Sequence, residues 1–268
     1  MIEKLFSLAK DNGSSPSFDS FRSEYLQVKK EYVICNNCNW IKDRSFCERC
    51  NVKTTDNIYI LFDIESQIKE IMSRLKQKMD HFKENSEKFG YLKSSRLLKH
   101  HGKNAGYTFT LNTDGVCVFK NRSVDTWPLF LAFNELPIKD KFSLSNIVLL
   151  GLWSGKTKIN NIQIMNDTMK LVEQIEINGV TVDEEVIKLS TIYGSFDKPA
   201  KSLILNSMSC TSRYGCTFCL EKCIRIGRTP CYLGKSKKRT HHYQIAKGSK
   251  AASKGKPVRG LRGISCLR

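Results

Sequence analysis

Between residues 198 and 268 the sequence carries a single acidic residue, Glu221, against 17 lysines and arginines. The 197 residues before it hold 25 acids and 27 bases and are close to neutral, so the net charge of +18 belongs almost entirely to the C-terminal quarter. A stretch so poor in negative charge is unsuited to cationic partners. It is attracted to phosphate backbones, with binding that weakens steeply as salt rises. The bland alternative is a solvated basic tail, which would still bind nucleic acid non-specifically. Also missing is any apolar run near the roughly 18–20 residues of a membrane helix, so no membrane partner is expected. The first residues, MIEKLFSLAKDNGSS, lack the apolar core and cleavage site of a signal peptide. An intracellular protein is expected, and the basic run GKSKKR at residues 234–239 suits a nuclear location. In that compartment eleven cysteines point to metal ligands rather than to a disulfide scaffold. No internal repeat is present.

Hydrophobic periodicity divides the chain. Residues 1–30 are polar. Residues 31–57 hold a cysteine cluster that predicts a small zinc-ribbon-like module. Residues 58–83 read as a strand leading into an amphipathic helix, with Ile68, Ile71, Met72, Leu75 and Met79 at three- and four-residue steps. Residues 84–106, rich in Lys, Ser, Asn and Gly, read as a linker. From 107 onward YTFTLNTD is an alternating strand, VCVFK a second strand after a tight turn, PLFLAFNEL a third and NIVLLGLW a fourth. NNIQIMNDTMKLVEQIEI is helical, with Ile164, Met165, Met169 and Val172 on one side. EVIKLSTIYGSFD is a further strand and KPAKSLILNSM begins a helix. This order predicts an α/β fold over residues 107–209, with a mixed sheet flanked by helices. Residues 210–268 show little periodicity and read as a basic Cys/His-containing insertion and tail.

Four motifs carry chemistry. CNNCNWIKDRSFCERC spaces Cys35, Cys38, Cys47 and Cys50 as C-x2-C-x8-C-x2-C, two thiolate knuckles able to wrap one structural Zn²⁺. RYGCTFCLEKC offers Cys216 and Cys219, with Cys223, Cys231, His241 and His242 downstream. Cys216, Cys219 and one of the two histidines are candidates for a second zinc site whose fourth ligand the spacing does not determine. Asp114 and Asp197 each close a predicted strand before a chain reversal. Carboxylates at neighbouring strand ends can hold Mg²⁺ or Mn²⁺ for phosphodiester chemistry, although each alone is also an ordinary cap or turn former. Lys235, Lys237, Lys238, Arg239, Lys254, Lys256, Arg259 and Arg262 are the candidate nucleic-acid contacts. Two further patterns are decoys. Asp63 and Glu65 in ILFDIES read as helix N-terminal acids favoured by the helix dipole. GLWSGKT is one residue short of a phosphate-binding loop, and Leu152 and Trp153 would crowd it.

Taken together, FTLNTDGVCVFKNRSVDTWPLFLAFNELP, NIVLLGLWSGKTKIN, GSFDKPAKSLILN, YGCTFCL, KRTHHY and KPVRGLRGISCL occur in an order that resembles the transposase domain of CACTA-type DNA transposons and their animal relatives, over roughly residues 31–268. The resemblance implies an RNase H-like fold and metal-dependent cutting and joining of DNA at a DD(E/D) site. Asp114 would be the first acid and Asp197 the second, and Cys216, Cys219 and His241 would match the family's Cys/His insertion. It implies DNA as partner, with self-association or the remainder of a longer transposase as protein partners. The family's third acid lies on a helix beyond that insertion. The sequence stops at Arg268, so a fragment lacking the third acid and inactive by itself is expected. The competing expectation is a non-catalytic, zinc-containing nucleic-acid-binding protein.

Overall fold

The structure, a computed structural model, describes residues 27–42, 46–53, 56–85, 106–117, 125–155, 162–234 and 236–267. Most of the polar N-terminal segment, most of the expected linker and Lys235 therefore lie outside the described residues. Two compact units are present. One comprises Met1–Ile159 with Lys170–Ser195, the other Asn160–Met169 with Phe196–Arg268.

The first unit is built on an eight-stranded mixed sheet. Its strands are β1 (Val28–Cys35), β2 (Ile41–Lys42), β5 (Asp56–Phe62), β6 (Tyr107–Thr113), β7 (Val116–Cys117), β8 (Asp125–Phe133), β9 (Ile147–Gly155) and β12 (Leu189–Ser195). The order across the sheet is β12-β6-β8-β9-β5-β1-β2, with β7 also paired to β8. Every pairing is antiparallel except that of β12 with β6. β1, which ends on Cys35, is thus the strand next to the edge strand β2. Two small hairpins stand apart from this sheet, β3 (Phe46–Cys47) with β4 (Val52–Lys53), and β10 (Val180–Val182) with β11 (Glu185–Ile187).

Helix α1 (Ile64–Glu84) buries Ile64, Ile68, Ile71, Met72 and Met79, the face that the spacing predicts, with Leu75 at its margin. Asp63 is its N-cap residue, and Glu65 in its first turn pairs with Lys69 at 2.7 Å, so both decoy acids serve the helix. The carboxamide of Gln67 accepts from Leu149 N at 2.8 Å and donates to Leu149 O at 2.9 Å. Leu149 lies next to the register shift between β8 and β9 and beyond Gly151, where the β5–β9 pairing ends. A short helix, α2 (Ile138–Lys141), follows β8. The core contains Tyr59, Trp153, Leu131 and Leu150, with Phe109 and Phe133 tilted together at 4.5 Å between ring centroids. Gly151 and Gly155 of β9 are glycines because Tyr59 and Asn57 side chains occupy the space a Cβ would need. Residues 151–155 are therefore strand rather than a phosphate loop.

Three expectations need correction. The Asp114–Gly115 step is a break within a strand, since β6 and β7 both pair with β8 in the same sense. Trp127 and Pro128 face that break. A proline, with no N–H to give to a ladder, is tolerated there in mid-strand, so β8 begins earlier than Pro128. The strand expected over EVIKLSTIYGSFD is divided. Glu185–Ile187 belongs to a hairpin turning at Asp183 and Glu184, both at positive φ (47° and 67°), and β12 follows. Finally, residues 210–268, expected with little periodicity as a Cys/His-containing insertion and tail, hold a β-hairpin and a 14-residue helix.

The second unit comprises the first turns of α3 (Ile162–Asn178), α4 (Lys198–Ile204), a hairpin of β13 (Ile224–Ile226) and β14 (Thr229–Cys231), and α5 (His241–Lys254). Thr240 caps α5 by accepting from Tyr243 N, and Gly255 ends it at φ +59°. Its buried face consists of Gly248 and Ala251. A Cβ on Gly248 would lie 2.7 Å from Gly263 O, so the small residue sets how closely the chain packs on the helix. Among the described residues no helix is long and apolar enough to cross a membrane.

Candidate functional site

The four-cysteine cluster is built by two matching knuckles. β1 ends on Cys35, and Asn39 N donates to Cys35 O at 2.9 Å. In the second knuckle Asn51 N donates to Cys47 O at 2.8 Å. Both asparagines sit at φ 56°, a left-handed conformation that Asn tolerates better than most residues. The signal lies in the sequence as C-x2-C-N written twice, an asparagine following each knuckle's second cysteine. Cys35 and Cys50 sulfurs are 3.6 Å apart, and those of Cys38 and Cys47 are 3.5 Å apart. All four sulfurs fall within 4.8 Å of one another. Tetrahedral ligation at a Zn–S length of about 2.3 Å calls for sulfur separations of about 3.8 Å. The set is therefore compatible with zinc in both geometry and donor softness.

Electrostatics agree with that reading. The backbone N–H of Cys50, followed by the other thiols, holds Cys47 below the ordinary thiol range, while burial pushes Cys38 up to about 12. Four sulfurs at this spacing cannot all ionise without a cation among them, and a divalent ion reverses the penalty. The ten cysteines with described side chains are all free thiols.

Cys216 and Cys219 behave differently. Burial raises both, but the N–H groups of Phe218 and Cys219 and the Arg239 charge outweigh it at Cys216, whose thiol lies below the ordinary value. Cys219 stays above it. Among the described residues the Cys35 group is the one that gathers three or more candidate ligand atoms within 4.8 Å, so His241 is not brought to Cys216 and Cys219. The physical reason is local. His241 is the first residue of α5, exposed just after its Thr240 cap. Glu221 is occupied as well, accepting from Leu233 N at 2.8 Å and Gly234 N at 2.7 Å.

Asp114 and Asp197 are both solvent-exposed. Gly115 must be glycine because the Trp127 ring lies 2.5 Å from where its Cβ would be. Among the described residues the Asp114 carboxylate has no hydrogen-bond or ion-pair partner. Asp197 is the N-cap of α4, and its Oδ1 accepts from Ala200 N at 2.6 Å. The bland reading of Asp197 as a cap is thus realised through one oxygen. β6 and β12 run parallel with Asn112 opposite Ser195, and Asn112 Nδ2 donates to Ser195 O at 2.8 Å. Asp114 follows Asn112 by two residues, and Asp197 follows Ser195 by two.

The basic candidates divide into free and committed groups. Lys237, Lys238, Lys254 and Lys256 are exposed. Arg239 is half-buried and donates to the carbonyls of Cys216 and Cys219 at 2.8 Å and of Tyr214 and Arg259 at 3.0 Å. It is a scaffold residue first. Arg259 stacks over Tyr214 and donates to its hydroxyl at 2.8 Å, and Arg262 donates to the Met208 sulfur. Sequence reasoning did not anticipate the Lys201 ammonium placed 3.6 Å over the ring of exposed Phe218.

No curated protein matches the chain significantly. Residues 23–249 match the profile of a family described as Protein of unknown function (DUF1258), and the chain belongs to that family.

Proposed function

We propose that the chain is a transposon-derived DNA-binding protein. Its mixed sheet would be a partial RNase H-like transposase core, with Asp114 and Asp197 as the first two carboxylates of a DD(E/D)-type site. The observation that carries this reading is the register of the one parallel strand pair. Asn112 stands opposite Ser195, and each is followed two residues later by an exposed aspartate. Sites in open α/β sheets form beyond the carboxyl ends of parallel strands. The break in pairing at Asp114–Gly115, opposite Trp127 and Pro128, leaves the Asp114 side chain exposed at that end of β6.

The donor set fits a hard divalent cation such as Mg²⁺ or Mn²⁺, because both groups are carboxylates and Asp197 keeps Oδ2 outside its cap bond. An ion held there would supply Lewis-acid polarisation of a phosphodiester oxygen. The chain's own part is orientation and attraction. Ala200 N–H fixes the rotation of the Asp197 carboxylate, and the exposed lysines of the second unit draw the DNA backbone. The four-cysteine centre would stabilise the short strands β2, β3 and β4 beside β1, which have little core of their own, a structural role for zinc. A nuclear location follows from this reading.

One observation favours the second reading, a non-catalytic zinc-containing nucleic-acid-binding protein. Asp197 is already accounted for as a helix cap.

A supercoiled-plasmid nicking assay in Mg²⁺ or Mn²⁺ separates the two. The discriminating variant is Asp197→Asn, since asparagine caps a helix as well as aspartate but carries no charge. Nicking by the wild type that falls to background in Asp114→Ala and Asp197→Asn supports the nuclease core. Equal nicking by all three sinks it. Salt-sensitive DNA binding with no nicking leaves the binding protein.

A further inference from the structure

The β13–β14 hairpin, residues 224–231, is the least buried regular structure in the second unit. All three residues of β13 are exposed, with Ile224 at 44% and Ile226 at 65%. Exposed isoleucines on a regular ribbon lose the burial that would stabilise them, so a partner surface is called for. The register is Ile224 opposite Cys231, Arg225 opposite Pro230 and Ile226 opposite Thr229. Side chains alternate along a strand, so one face carries Ile224, Ile226, Thr229 and Cys231, and the other Arg225 and Pro230. A two-residue loop, Gly227 and Arg228, closes the ribbon. Gly227 stands at φ +61°, and nothing lies within 4 Å of where its Cβ would be, so the tip is open.

The base of the ribbon is anchored rather than loose. Cys223 N donates to Arg213 O at 2.7 Å. Tyr232, just after β14, accepts from Gly215 N at 3.0 Å, and its hydroxyl lies 2.8 Å from Ser212 O and 2.9 Å from Cys210 O. Glu221, the one acid nearby in the sequence, spends both carboxylate oxygens on the N–H groups of Leu233 and Gly234. The ribbon is therefore a pre-formed element whose arginine charge has no acidic partner on the hairpin itself.

We propose that this hairpin is a groove-reading element for B-form duplex DNA. It enters the major groove with Ile224 and Ile226 against thymine methyl groups, while Arg225 and Arg228 meet flanking phosphates. The inference rests on the DNA-binding reading above and adds to it a specificity-determining segment. Dimensions and chemistry select the partner. A two-stranded ribbon fits the major groove, about 12 Å wide, and not the minor groove of about 6 Å. The major groove of A-form RNA is too narrow to admit it. The thymine C5 methyl is the apolar feature that the major groove offers to an aliphatic side chain. Uncompensated arginines complement phosphates on either side.

The test uses the full chain and a fluorescently labelled A·T-rich duplex, compared with the same duplex made with deoxyuridine in place of thymidine. Anisotropy titrations of the wild type should favour the thymidine duplex by about fourfold for each methyl group buried. Ile224→Ser with Ile226→Ser should abolish that preference and keep the salt dependence. Arg225→Ala with Arg228→Ala should keep the preference and flatten the log–log salt slope by about 1.8, the share of two phosphate contacts. All substituted side chains are exposed, and unchanged circular-dichroism melting checks that each variant folds. Wild type that binds both duplexes equally, with both double variants indistinguishable from it, overturns the hairpin's role and leaves DNA binding standing. Absence of duplex binding at low salt overturns the DNA reading itself. A double-isoleucine variant that sediments as a smaller species with unaltered DNA preference assigns the ribbon to self-association and overturns the inference.

Discussion

The two compact units are held together by different means. The first buries large side chains, with Trp153, Tyr59, Phe109, Phe133, Leu131 and Leu150 all under 2% exposed. In the second, the buried apolar residues from Ala200 onward are small or few, namely Ala200, Ile204, Ala251, Leu261 and Cys266, with Ile164 and Met165 from α3. Side-chain-to-backbone hydrogen bonds take over there, and Arg239 alone reaches four carbonyls. The paired-cysteine motifs follow the same division. In the first unit two knuckles face each other and complete a four-sulfur shell. In the second a single C-x2-C pair is wrapped around an arginine. A C-x2-C pair by itself is therefore a turn with two thiols, and a second knuckle is what gathers a donor set compatible with a metal.

The largest expected effect attacks that difference directly. The purified chain should carry close to a single equivalent of zinc by elemental analysis. Cys47→Ser should remove it and cost about 4 kcal/mol or more, because a metal held by the two knuckles would tie the end of β1 to the edge strand β2 and the β3–β4 hairpin. A strong chelator should reproduce the loss in the wild type. Cys216→Ser should leave the zinc content unchanged. A second equivalent that disappears in Cys216→Ser would break the comparison by showing that the second pair recruits ligands after all.

Next in size is the hydrogen-bonded scaffold. Arg239→Met keeps much of the aliphatic stem and removes every donor, leaving four carbonyls with fewer partners. A loss of about 3 kcal/mol in urea unfolding is expected. Lys237→Ala and Lys238→Ala, with exposed side chains at the Cys219–Lys238 bridge, should stay within about 0.5 kcal/mol. In DNA titrations the order should reverse, with the lysine variants changing the salt slope more than their stability. If Arg239→Met were as stable as the lysine variants, the second unit would have to be held by its small core.

The contrast also explains what could be read from the sequence. Burial by large side chains leaves a period, so α1, β6, β9 and α3 were legible from the spacing of residues such as Ile68, Met72, Phe109 and Ile164. The spacing C-x2-C-x8-C-x2-C was equally direct. Helix α5 was missed because its buried face is Gly248 and Ala251, which carry almost no hydrophobic signal, although Thr240 and Gly255 marked its ends. The β10–β11 hairpin was merged with β12 because its turn is Asp183-Glu184, where glycine or asparagine is the usual sign. The break at Asp114 read as a tight turn because Asp-Gly is a turn signature, whereas the interruption comes from Trp127 and Pro128 on the facing strand. The roles of Arg239 and Tyr232 had no sequence trace, since any nearby carbonyl can accept their hydrogen bonds.

The smallest expected effect tests whether the first unit, too, contains an interior polar group that costs it stability. Glu135 is 3% exposed, accepts from Thr108 N at 3.0 Å and takes the Thr108 hydroxyl at 2.7 Å. Burial dominates and holds its carboxyl above the ordinary glutamate range, against the opposing pull of the Thr108 N–H, the Thr108 hydroxyl and the Lys83 charge. A carboxyl raised in the folded state binds its proton more tightly there than in the unfolded chain. Its contribution therefore favours folding below the unfolded value and is lost as pH rises through the folded one. Glu135→Gln keeps an oxygen acceptor for Thr108 and removes the titration. The difference in melting temperature between variant and wild type should grow in the variant's favour from pH 4 to pH 7, with an effect on the order of 1 kcal/mol. A difference independent of pH would mean that Glu135 is ionised at no cost inside the fold, and that the hydrogen bonds from Thr108 fully offset its burial.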